Sequence, residues 1–224
     1  MPGPSGPSEL VRGPNPPEGH LADDRFISRL AGRLLPRPEP IPELVPDWTP
    51  DVPHERPPVA AAVLIALVDR EDGLSVLFTE RSPALRSHSG QVAFPGGKID
   101  PTDADAAAAA LREANEEVAL EPLDARVLGF MPQYYTGTNY LITPVVALVA
   151  PRQPFMPNPD EVRSVFEVPL AYLMQDASFS TRTIARNGRQ HATRQVEHSG
   201  LVIWGITANL TWQFHELAAA ARAE

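Results

Sequence analysis

The chain has 224 residues, a hydrophobic fraction of 43%, no cysteine and a formal net charge of −9. That length and hydrophobicity allow a sizeable buried core, in one domain with extensions or two small ones. The lack of cysteine excludes disulfides, thiol catalysis and cysteine-based zinc sites. It also fits a reducing cytosol. The acidic balance argues against a duplex nucleic-acid binder working through a basic patch, although bound cations can still bring an anionic substrate to an acidic protein.

Of the 26 prolines, 15 fall within the first 58 residues. Residues 1 to about 20 are rich in Pro, Gly and Ser and read as disordered, with no basic start and apolar core of a secretory signal. Within this 1–58 extension, residues 23–35 alone show helical spacing, with Phe26, Ile27, Leu30, Leu34 and Leu35 on one stripe. A proline-punctuated connector follows, with Trp48 as an anchor onto the core. Residues 59–224 then read as the folded domain. "AAVLIALVDR" and "LSVLFTER" flank "EDG" and predict a hairpin. The apolar run Val59–Val68 falls well short of the ~18 residues a membrane span needs. A cytoplasmic protein without membrane attachment is the expectation.

"QVAFPGG" predicts a short strand entering a glycine loop, and "DADAAAAALREANEEVAL" predicts a helix with acids in its first turn. Two strand-like stretches follow, "ARVLGFMPQYY" and "YLITPVVALVA", then the proline-rich loop "PRQPFMPNPDEV". A strand with a short helix, two polar strands around Asn187-Gly188, one more strand and a closing helix complete the order. Hairpins outnumber repeated βαβ units, so the expected class is α+β, a mixed sheet sandwiched between helices (α/β/α).

Glu113, Glu116 and Glu117 are spaced i, i+3 and i, i+4, which places three carboxylates on one helix face. Without a cation they repel. A hard divalent ion such as Mg²⁺ or Mn²⁺ reverses that sign, because it takes oxygen ligands and keeps several waters for exchange with phosphate oxygens. Gly96 and Gly97 allow backbone to pass close to such a site. "GGK" lacks the following Ser or Thr of a nucleotide-motor phosphate loop.

Gly97, a spacer, and Arg112-Glu113-Ala114-Asn115-Glu116-Glu117 together resemble the Nudix box. Gly97 and Arg112 are 15 positions apart where the family has 14, Asp103 stands at the first acidic position, and Ala119 stands where the family has glycine. Upstream, Thr79, Arg81, Ser82, Arg86, Gly90, Phe94, Pro95, Gly96 and Gly97 resemble the segment marking the coenzyme A diphosphatase branch of Nudix. The resemblance implies the Nudix fold and a metal-dependent hydrolase. Its substrate would be the diphosphate of coenzyme A or its thioesters, cut to 4′-phosphopantetheine and adenosine 3′,5′-bisphosphate. It implies Mg²⁺ or Mn²⁺ held by Glu113, Glu116 and Glu117, with Arg112 orienting a glutamate. Gly96 and Gly97 would lie against substrate, and Arg81 and Arg86 would read its phosphates. The general base stays open between Glu116 and Glu161, and His88 is left out of the catalytic set. Tyr134, Tyr135 and Tyr140 read either as core or as a stacking surface. Two other readings remain: a Nudix hydrolase of another nucleoside diphosphate derivative (ADP-ribose, NADH, a dinucleotide), and a catalytically silent nucleotide-binding Nudix domain. The expected partner is a small molecule, with no nucleic acid and no membrane. The oligomeric state is open, a homodimer among the options.

Overall fold

The computed structural model describes residues 11–12, 24–40, 56–84, 90–186 and 189–223. Arg86, His88, Trp48 and the Asn187-Gly188 turn lie outside the described residues. In chain order the elements begin with β1 (Val11–Arg12), α1 (Asp24–Arg33), β2 (Val59–Arg70), β3 (Gly73–Arg81), β4 (Val92–Ala93) and β5 (Gly96–Lys98). They continue with α2 (Ala106–Val118), β6 (Ala125–Phe130), β7 (Tyr134–Tyr135), β8 (Tyr140–Val149), β9 (Val162–Pro169) and α3 (Leu170–Leu173). The last are β10 (Phe179–Arg186), β11 (Arg189–His198), β12 (Leu201–Trp204) and α4 (Ile206–Arg222).

The main sheet runs β1-β9-β3-β2-β8-β6, and β10-β11-β12 form a separate three-stranded sheet. β2 and β3 are the expected hairpin, with Arg70 opposite Gly73. β2 and β8 are parallel from Val59↔Tyr140 to Val68↔Val149, so the chain between them must cross over the sheet. α2 lies in that crossover. β2 sorts its side chains by strand alternation. Ala62, Leu64, Ala66 and Val68 join the core under α2, with Ala106, Ala109, Ala110, Ala114 and Val118. Ile65 and Leu67 join the opposite core, where Phe26, Ile27, Leu30 and Leu34 meet Leu210, Phe214, Ala218 and Ala221 of α4. Helices therefore cover both faces of a mixed sheet, the α+β sandwich expected from the order of elements. No helix among the described residues is long and apolar enough to cross a membrane.

Four local expectations are corrected. Val11 and Arg12, read as part of a disordered tail, form a two-residue strand parallel to β9. The stretch read as a glycine loop is strand β5, pairing antiparallel with β2 through Val63↔Gly96, Ala62↔Gly97 and Ala61↔Lys98. The loop signal of "PGG" was misleading because the glycines serve close packing here. At Gly96 (φ +152°) a Cβ would fall 2.4 Å from the Ala62 carbonyl oxygen. The acids expected inside the first turn of α2 precede it: Asp105 is the N-cap, accepting from Ala108 N at 2.8 Å.

The fourth difference is that the three glutamates are graded in burial rather than sharing one environment. Ala106, Ala109, Ala110, Ala114, Glu117 and Val118 form the buried stripe of α2, so Glu117 belongs to the core-facing side.

α2 ends on Ala119 in the left-handed conformation (φ 55°, ψ 34°), whose N–H donates back to the last turn. An alanine there carries Cβ strain that glycine would not. Ala119→Gly is expected to stabilise the protein by about 0.5–1 kcal/mol, offset in part by glycine's unfolded-state entropy. Tm would rise by about 2–4 °C. Calorimetry checks this; an unchanged or lower Tm would mean that the turn carries no strain.

Candidate active site

The site forms where α2 crosses β5, beside the ends of β3 and β9. Its first ingredient is close approach. A Cβ on Gly97 would lie 2.5 Å from the Glu113 carboxyl carbon, so only glycine leaves room for that carboxylate against the strand. Small residues do the same on the helix, where Ala109, Ala110 and Ala114 are fully buried.

Glu117 is 3% exposed. Its Oε2 accepts from Gly96 N at 3.2 Å, and its Oε1 lies 3.8 Å from Arg81 Nη1. Burial pushes its carboxyl up to about 7, against the lowering effects of the Gly96 N–H and the Arg81 charge, while Glu113 and Glu161 push it up further. Glu113 is also raised, chiefly by burial, with Arg112 opposing and Glu116 and Glu161 adding to the rise. Glu116 is the outermost carboxylate, its side chain 51% exposed.

Arg112 ties this face together. Its Nε and Nη2 donate to the two Asp103 oxygens at 3.0 Å each, and its Nη1 donates to Glu116 Oε2 at 3.1 Å. The same Nη1 lies 3.1 Å from Glu113 Oε1, and Nη2 donates to the Lys98 carbonyl at 3.2 Å. Arg112 is thus anchored to the loop before α2 and to β5 while it holds two glutamates. Asp103 anchors Arg112, a part that the sequence left unassigned. Its place at the first acidic position of the box was the available signal.

Glu161 arrives from the proline-rich loop. Asn158 N donates to the Glu117 carbonyl at 2.9 Å and Met156 N to the Val118 carbonyl at 3.0 Å, so this loop satisfies carbonyls that the end of α2 leaves free. Ser82 N donates to the Glu161 carbonyl at 2.8 Å, fixing the loop to the end of β3. The structure therefore groups Arg81, Gly96, Gly97, Arg112, Glu113, Glu116, Glu117 and Glu161. Asp160 is exposed. Tyr134, also weighed as a stacking surface, packs partly buried against the α4-side core, and its hydroxyl accepts from Asn209 Nδ2 at 3.0 Å.

As arranged, two of the glutamates lean on Arg112, and among the described residues no three acidic or histidine side chains converge at metal-ligand spacing. The donor set nevertheless suits a hard cation. It offers carboxylate oxygens only, Gly97 opens a cradle against Glu113, and desolvation together with mutual repulsion raises both Glu113 and Glu117.

The NUDIX domain pattern matches residues 58–186. The chain is 46% identical over 151 residues to a protein of Escherichia coli K12 named "Uncharacterized Nudix hydrolase NudL", covering 67% of this chain and 78% of that one. A namesake from Salmonella paratyphi B is 44% identical over the same shares. Among solved structures, the Nudix hydrolase RenU of M. smegmatis matches with a TM-score of 0.42 and 24% identity over 51% of this chain and 72% of that one. A MutT/nudix family protein of Enterococcus faecalis matches with a TM-score of 0.45 and 15% identity over 77% and 64%. The chain belongs to the Nudix family. It is a hydrolase acting on pyrophosphate bonds of nucleoside diphosphate derivatives.

The raised carboxyl of Glu117 makes the metal-free fold sensitive to pH. Between the ordinary value of 4.5 and about 7, the folded protein holds a proton there that the unfolded chain has released. The stability this group contributes is full below 4.5 and lost as pH rises through about 7. Relative to Glu117→Gln, metal-free wild type should lose roughly 3 kcal/mol between about pH 4.5 and pH 8. Urea unfolding of both proteins in EDTA checks this, and parallel pH profiles would contradict the burial account.

Proposed function

We propose that the protein hydrolyses the diphosphate of coenzyme A or its thioesters, releasing 4′-phosphopantetheine and adenosine 3′,5′-bisphosphate. The observation that carries this reading is the position of Arg81 and Ser82. These residues belong to the segment resembling the coenzyme A branch, and one reaches Glu117 while the other is bonded to the Glu161 backbone. The described part of the segment is thus at the site rather than remote from it, which supports its use in choosing substrate.

Nudix hydrolases generally use divalent ions. Glu113, Glu116 and Glu117 are the residues that would hold Mg²⁺ or Mn²⁺ here. Bound, such an ion neutralises charge on the diphosphate and lowers the pKa of a water. The chain's own residues supply the rest. Arg112 holds Glu113 and Glu116 in defined orientations in the metal-free protein, and closing these carboxylates onto a cation would require them to shift from it. Gly97 leaves room for the Glu113 carboxylate, and the Gly96 N–H orients Glu117. The water oxygen bonds to phosphorus, the anhydride P–O bond breaks, and the water proton passes to a carboxylate. Glu161 suits that base role best: it is close enough to raise Glu113 and Glu117, and no arginine is paired with its side chain among the described residues. Glu116 is the second candidate, though it is engaged by Arg112. Arg86 would add a donor for the 3′-phosphate. The reading implies a cytoplasmic enzyme, where coenzyme A is abundant; nothing in it requires a particular oligomer, a homodimer included.

Coenzyme A, dephospho-coenzyme A, ADP-ribose, NADH and a diadenosine polyphosphate, each incubated with Mg²⁺ or Mn²⁺, test the substrate. Adenosine 3′,5′-bisphosphate formed well ahead of the other products is the expected result. Preferential cleavage of ADP-ribose or NADH would replace the substrate but keep the hydrolase, and no cleavage at all would return the silent binding domain. In the same assay Glu161→Gln should lower kcat by about 10²–10⁴-fold with KM little changed. A loss confined to Glu116→Gln would move the base role to that residue.

A further inference from the structure

The site contains two arginines, and they are held very differently. Arg112 is saturated: both Asp103 oxygens, Glu116, Glu113 and the Lys98 carbonyl receive it. Arg81 makes no side-chain hydrogen bond among the described residues. Its Nε is buried without a hydrogen-bond partner, and its one ion pair among the described residues, to Glu117 at 3.8 Å, is longer than a hydrogen bond. The backbone at Arg81 is nevertheless well fixed. Its N–H donates to Gln91 O at 3.0 Å and its carbonyl accepts from Gly90 N at 3.1 Å. The β3–β9 ladder slips between Glu80 and Arg81, an irregularity of the kind that re-aims a side chain next to a functional site. The main chain thus holds a guanidinium beside the most deeply buried carboxylate of the site and leaves its donors unused.

We infer that Arg81 is an exchangeable counter-ion. In the metal-free protein its charge partly neutralises Glu117, and on metal binding it leaves that carboxylate and turns its unused donors to the phosphate oxygens of the substrate. The inference rests on the metal reading of the proposed function. Arg112 cannot play this part, because moving it would break its fork on Asp103 as well as its contacts with the two glutamates. Once ionised, a carboxylate at 3% exposure is costly without a counter-charge, so a cation beside Glu117 lowers that cost when no metal is bound. A fork of unpaired N–H donors is also suited to phosphate oxygens.

Two measurements test it. The first is thermal unfolding in EDTA, in mildly alkaline buffer that keeps Glu117 ionised, of wild type, Arg81→Met, Glu117→Gln and the double variant. Arg81→Met should lower Tm in the wild-type background and leave it unchanged in the Glu117→Gln background. An equal drop in both would show that Arg81 supports the fold by some other route. The second is Mn²⁺ titration followed by electron paramagnetic resonance, in mildly alkaline buffer so that protons do not compete. With the resident charge gone, Arg81→Met should bind Mn²⁺ roughly fivefold more tightly, and Arg81→Lys should stay near wild type. Unchanged or weaker binding by Arg81→Met would overturn the exchange. Failure of wild type to bind Mn²⁺ would overturn the metal reading itself, and the unfolding arm would still report whether Arg81 and Glu117 are paired.

Discussion

The close contact between α2 and β5 is the constraint on which the rest of this structure depends. Three fully buried alanines on the helix and Gly97 on the strand remove the side-chain bulk that would otherwise hold the layers apart, while Gly96 lets β5 lie close against β2. Glu117 and most of Glu113 are withdrawn from water there. That desolvation raises Glu113 and Glu117, makes the Gly96 N–H a needed partner, and creates the local demand for positive charge that arginines or a metal ion can meet.

The remaining parts of the site are fastened to this contact through the two ends of α2. At its start, Asp103 takes the Arg112 fork and Asp105 caps the first turn. At its end, the loop carrying Glu161 bonds to the carbonyls of Glu117 and Val118, which a helix terminus cannot satisfy internally. The same loop accepts Ser82 N from the end of β3, adjacent to Arg81. One helix therefore orients Glu161, the carboxylates of α2 and Arg81 together. A shift of its end would be felt at each of them.

The two cores differ in the same functional sense. The core under α2 is lined on the helix by alanine and closely approaches the backbone. The opposite core is filled by larger side chains, Phe26, Leu30, Phe78, Phe166, Leu210 and Phe214 among them, and bears no ionised group of the site. Stability drawn from the second core holds the sheet rigid beneath the first, where buried carboxylates cost free energy. Functional strain of this kind is tolerated only where the surroundings over-determine the geometry.

Much of this was legible in the sequence because it rests on local spacing. The β2–β3 hairpin follows from apolar runs around "EDG", α2 from an alanine-rich stretch free of Gly and Pro, and the glutamate set from i, i+3 and i, i+4 intervals. Even the family pattern lies in one continuous stretch. What the sequence did not reveal depends on neighbours distant in the chain. Gly96 and Gly97 read as a loop but form a strand, since pairing with Ala62 and Val63 depends on where β2 lies. Asp103 had no role until it was seen gripping Arg112. The three glutamates have one spacing but three degrees of burial, because only packing against the sheet decides which side of the helix loses water. Arg81 is a loop-proximal cation in sequence and a neighbour of Glu117 in space, at the point where the β3–β9 register slips. Sequence thus determined which groups the protein has and the helix that spaces them, since both are short-range properties of the chain. Tertiary structure alone decided their charge environment, because desolvation and Coulomb interaction depend on distances that only packing sets.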